Sequence, residues 1–87
     1  MTDTAIVEEV FRREHGRAVA VLIRAFGDID AAEEAVQDAF AVAVERWPRD
    51  GAPPAPAGWI IRTAHNRASD RLRRDAVFQR KQAELAL

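Results

Sequence analysis

Eighty-seven residues make one domain with room for one modest core, and 48% of them are apolar, many of them Ala. The chain has no Cys, which excludes a disulfide framework and a thiolate metal site, and no apolar run approaches the length of a membrane span. The formal net charge of -1 argues against a general nucleic-acid binder, yet the charge is unevenly spread. From Asp28 to Glu45 there are six acids and no base; from Arg62 to Lys81 there are seven bases against Asp70 and Asp75. Such asymmetry implies two faces for two partners of opposite charge. No signal peptide opens the chain, so a cytoplasmic location is expected.

The first predicted helix runs from about Thr4 to Phe26, with Thr2, Asp3 or Thr4 as its cap and Gly27 as its stop. Val7, Val10, Phe11, Ala18, Val21, Leu22 and Ala25 form its apolar stripe. The polar face mixes Glu8, Glu9 and Glu14 with Arg12, Arg13, Arg17 and Arg24, several of which can pair one turn apart. His15 reads as a surface side chain, since no second ligand or acid-base partner accompanies it.

After a short turn, Asp30 has the look of an N-cap, with Glu33 completing a capping box. The second helix is expected from about Ala31 to Trp47, where Pro48 ends it. Ala32, Val36, Ala39, Phe40, Ala43, Val44 and Trp47 make its apolar stripe. The opposite face carries Glu33, Glu34, Gln37, Asp38, Ala41 and Glu45. Acids in a first turn suit the helix dipole, which accounts for Glu33 and Glu34 but not for Gln37 and Asp38 a turn further in. A Pro- and Gly-rich stretch follows, RDGAPPAPAG, and the loop is placed at about residues 48–55. It is long for a plain helix-helix link and is a candidate for contacting a ligand.

Pro56 suits the first turn of a third helix, which is expected to reach about Lys81. Ile60, Ile61, Ala64, Ala68 and Leu72 recur at helical spacing, and the other side is rich in Arg. Arg67, Arg71 and Arg74 share one stripe, and Arg62, Asn66, Ser69 and Arg73 form the stripe beside it. A row of guanidiniums attracts a phosphate backbone, and an amide within it can donate and accept at a base edge. The alternative is a solvated, Arg-rich surface helix. Beyond Arg74 the pattern weakens, and Val77, Phe78, Leu85 and Leu87 lack an obvious core partner.

Three segments carry a family resemblance. Ala32 to Phe40, AEEAVQDAF, resembles the AED-x-VQ-acid-x-F signature of bacterial sigma factors of the extracytoplasmic-function group. Trp59 to Asn66, WIIRTAHN, is similar to that group's W-L-x-R-I-A-x-N signature, and Asp70 to Arg74, DRLRR, to its D-x-x-R-R continuation. The segments keep the family's order and spacing, and the resemblance spans residues 1–87 as one sigma-70 region 2 domain. It implies an all-α, compact three-helix domain with a long Pro/Gly loop before the third helix. It also implies a longer protein, whose carboxyl-terminal helix-turn-helix for the −35 element is absent from these residues.

The resemblance further implies roles. Glu33, Glu34, Gln37 and Asp38 correspond to the face that docks on the clamp helices of the β′ subunit of core RNA polymerase. Arg62, Asn66, Arg67, Ser69, Arg71, Arg73 and Arg74, with the loop before them, correspond to the surface for the non-template strand of the promoter −10 element. Family members flip a base into a pocket at that loop, beside the Asn that is Asn66 here. An anti-sigma factor is a further partner of the family. The pocket segment of the loop, Gly51 to Gly58, lacks the aromatic or acidic residue that many family members place there, and Ile61 stands where an aromatic is common, which thins the stacking surface. Trp59 is expected to be largely core. With two separated His and no Ser-His-acid grouping, neither an enzyme nor a cofactor or metal site is expected. The rival reading is a helical protein-interaction module whose charged faces bind proteins, with no DNA role.

Overall fold

The computed structural model describes residues 3–86, which form three α-helices and no strand. They are α1 (Asp3–Phe26), α2 (Ile29–Asp50) and α3 (Pro56–Ala86). The helix α2 packs against both neighbours, and α1 touches α3 more lightly. Of the cap candidates for α1, Thr2 and the Asp3 side chain lie outside the described residues, as does Leu87.

The core follows the helical periodicity. Val7, Ala18 and Leu22 from α1 meet Ala32, Ala35, Val36, Ala39, Phe40, Ala43 and Trp47 from α2 and Ile60, Ala64 and Ala68 from α3. The many alanines let the helix axes approach closely, while Trp47, Leu22, Ile60 and Val36 supply the buried bulk. No polar or charged side chain among the described residues is buried with them.

The apolar stripes are narrower than the sequence implies. Val44 is 55% exposed and Leu72 is 41% exposed, and neither belongs to the core. Each stands fourth in a row spaced by four: Ala32, Val36, Phe40, Val44 on α2, and Ile60, Ala64, Ala68, Leu72 on α3. A step of four residues advances the side chain by about 40° around the axis, so such a row leaves the buried sector within three steps. On α2 the core instead continues through Ala43 and Trp47. Phe11 is also exposed, although its ring lies edge-on to Phe40 at 5.0 Å and beside His15 at 4.6 Å. Ala25, in the last turn of α1, is exposed as well. His15 is half-buried rather than free at the surface.

The helix ends also differ from expectation. The N-cap of α2 is Asp28 and not Asp30: Asp28 is extended, and its side chain accepts from the Ala31 N–H at 3.0 Å. Gly27 stands at φ 71°, accepting the left-handed conformation that closes α1, so the reversal is complete one residue before Asp28. The Ala32 N–H bonds the Asp28 carbonyl, which leaves Asp30 inside the first turn and no capping box at Glu33. At the other end Pro48 does not stop the helix, which continues to Asp50. Proline deletes one backbone bond, but the Gly51 N–H reaches the Trp47 carbonyl at 2.8 Å and holds the last turn closed. The loop is therefore shorter than expected, residues 51–55.

Pro56 opens α3, as its fixed φ and missing donor suit. The helix passes Lys81 and reaches Ala86, since Gln82, Ala83, Glu84 and Leu85 are helix formers with no breaker among them. Its far end leaves the other helices, with Phe78 61% and Leu85 87% exposed, and sets the 58 Å long axis of the molecule.

Candidate functional site

The outward face of α2 presents Glu33, Glu34 and Gln37 to solvent, with Asp38 half-buried. Phe40 and Val36 anchor the opposite side of the helix, so packing fixes which way this face looks. On α3, Arg62, Asn66, Arg67, Arg73 and Arg74 are exposed and Ser69 is half-buried, held by Ile60, Ala64 and Ala68 in the core.

The arginines fall into two groups. Arg62, Arg67 and Arg74 make no ion pair among the described residues, and Arg73 donates to Asp70 one turn back at 3.0 Å. Arg71 is different. Its Nη2 donates to Asp38 Oδ2 at 3.0 Å, and its Nη1 lies 3.2 Å from Glu34 Oε2. The guanidinium thus joins α3 to the acidic face of α2, whereas Arg67 and Arg74 on the same stripe of α3 make no ion pair among the described residues. Sequence spacing could not show this contact, because Asp38 stands 33 positions from Arg71 and Glu34 further still. On α1 the pairs of Glu9 with Arg12 and Arg13, and of Glu14 with Arg17, are local, with exposed guanidiniums on half-buried carboxylates, and worth about 0.2–1 kcal/mol each.

Asn66 makes no side-chain hydrogen bond among the described residues, so its amide does not satisfy the loop backbone. The loop itself is bounded by a hollow of about 160 Å³ lined by Arg46, Trp47, Asp50, Gly51, Pro53 and Trp59. Asn66 is not among the residues that line it. Arg46 is a member that sequence reasoning passed over; its place directly before Trp47, at the mouth of the loop, is the signal that could have found it. Trp59 packs edge-on against Trp47 with ring centroids 5.4 Å apart, and it is half-buried at the edge of the core rather than within it. The buried Trp47 Nε1 has no hydrogen-bond partner among the described residues. Among those residues, no group of three or more His, Cys, Asp or Glu gathers as a metal site would need, and no helix is long and apolar enough to cross a membrane.

The family model for Sigma-70 region 2 matches residues 10–77, which spans all three helices. The chain belongs to the sigma-70 region 2 family. This sigma-70 region 2 chain is 38% identical over 76 residues to an uncharacterised protein of Rhizobium meliloti (strain 1021). That alignment takes in 87% of the chain but 18% of the relative's length. No solved structure matches the chain. The match begins inside α1, past the core residue Val7, and ends at Val77, beyond Ala68, the last core residue of α3.

Proposed function

We propose that the chain is the part of a transcription initiation factor that docks on core RNA polymerase and captures the melted −10 strand of a promoter. Membership of the sigma-70 region 2 family is the observation that carries this reading. The arrangement of charge supports it. Glu33, Glu34, Gln37 and Asp38 form one acidic, amide-bearing face on α2, suited to a basic coiled coil. Arg62, Arg67, Arg73 and Arg74 line α3 with Asn66 and Ser69 among them, suited to a strand whose phosphates need cations and whose bases need an amide. The resemblance to extracytoplasmic-function sigma factors agrees with both assignments.

No covalent chemistry is needed for this work. Binding the exposed strand shifts the duplex-open equilibrium, and each stacked base contributes roughly 1–3 kcal/mol. The hollow beside the loop, walled by Trp47 and Trp59, is the place we assign to an extruded base. Asn66 is assigned a base edge further along α3.

The docking half of the proposal is tested by affinity for the isolated β′ coiled coil. Replacing Gln37, which is exposed and unpaired, with Arg should weaken binding at least tenfold with an unchanged melting temperature. Unchanged affinity would remove the docking face from α2, and would favour a protein-interaction module that meets other partners.

A further inference from the structure

The charge row on α3 places Arg71 with the DNA contacts, but its surroundings place it elsewhere. Its side chain is 31% exposed, against 62% for Glu34 and 36% for Asp38, and its Nη1 is closed to solvent. Nη1 therefore lies beneath the more exposed Glu34, while Arg71 and Asp38 are about equally covered. Nη2 makes a hydrogen bond to Asp38, whereas Nη1 stands at ion-pair distance from Glu34 without hydrogen-bond geometry. The other oxygen of each carboxylate has no partner among the described residues.

We propose that Arg71 is a positioning residue of the docking face and not a DNA contact: it bridges Glu34 and Asp38 and holds the two carboxylates side by side for a cationic partner. The inference rests on the docking reading of that face. Glu34 and Asp38 lie four residues apart on one helix, where like charges repel. With Arg71 in place the pair is neutralised from behind and fixed in orientation. Without it the two side chains separate and must be ordered again when the partner arrives. The face also becomes more negative on losing the cation, which favours a cationic partner, and on this proposal lost orientation at contact outweighs that gain. A guanidinium spans two carboxylates with its fork, and an ammonium serves one at a time, so Lys is an incomplete substitute.

The test uses the 87-residue chain and two readouts. The first is affinity for the isolated β′ coiled coil, taken well below the melting temperature of every variant. The second is the salt dependence of −10 strand binding with core polymerase present. Arg71→Met should weaken docking about three- to tenfold, Arg71→Lys should recover part of the loss, and Asp38→Asn should add little in the Arg71→Met background. The salt slope should stay as in the parent chain for Arg71→Met and should fall by about 0.7 for Arg74→Met. Docking that is unchanged or tighter in Arg71→Met, or a slope that falls as it does for Arg74→Met, overturns the proposal. Asp38→Asn weakening docking while Arg71→Met does not would sink the positioning role alone. If Asp38→Asn and Gln37→Ala both leave docking intact, the docking reading fails and this role falls with it.

Discussion

Phe40 and Val44 are one turn apart on α2 and have opposite fates. Phe40 is 5% exposed, with the Phe11 ring against its face, whereas Val44 stands mostly in water. Removing the Phe40 side chain should cost about 3–5 kcal/mol, and the same truncation at Val44 should cost under about 0.5 kcal/mol. Denaturant unfolding of the two alanine variants checks the difference; equal losses would mean that Val44 belongs to the core after all. At this scale the exposure of Glu33, Glu34, Gln37, Arg62, Asn66 and Arg67 is legible from sequence, because they fall opposite the apolar positions of their own helices. Arg71 was not legible, since nothing in the spacing of α3 shows that two carboxylates of α2 lie beside it. Val44 and Leu72 were misplaced because a row spaced by four looks like a stripe on paper and drifts on the real helix.

At the level of elements, three helices were readable in the period of their apolar residues, and the Pro/Gly run marked the break before α3. The ends were harder to read, because a cap is a backbone geometry and several residues offer the right side chain. Asp28 and Asp30 both could cap α2, and the choice fell to Asp28 because Gly27 completes the turn immediately before it. Asp28→Ala should accordingly destabilise the domain by about 0.5–2 kcal/mol, and Asp30→Ala by a few tenths, its remaining effect being the loss of a charge near the helix dipole. Thermal melts of the two variants decide between the caps: a larger loss at Asp30 would restore the capping box with Glu33. Pro48 has the sequence signature of a stop, but a proline in the last turn removes a single bond, and Gly51 at φ 86° closes the turn beyond it. The same extension shortens the loop and brings Trp47, Asp50 and Gly51 to the rim of the hollow that Pro53 and Trp59 complete.

The whole molecule is two charged surfaces built on one small core. The helix α2 sits between the others and turns its acids outward, and α3 carries the bases past the end of the core along the 58 Å axis. A net charge of -1 thus hides an uneven distribution, with acids concentrated on α2 and bases on α3. On this account phosphate contacts give α3 affinity without sequence preference, and Asn66 supplies discrimination. The most direct measurement is binding of the chain, with core RNA polymerase present, to a single strand carrying a −10 element, to strands varied one base at a time and to a scrambled strand, across salt concentrations. The account predicts tighter binding to the −10 strand than to the scrambled one, a marked loss of affinity with salt, and a loss of about 1–3 kcal/mol of discrimination at a single base in Asn66→Ala. Equal affinity for the −10 and scrambled strands, or an Asn66→Ala variant weakened equally on every strand, would contradict it.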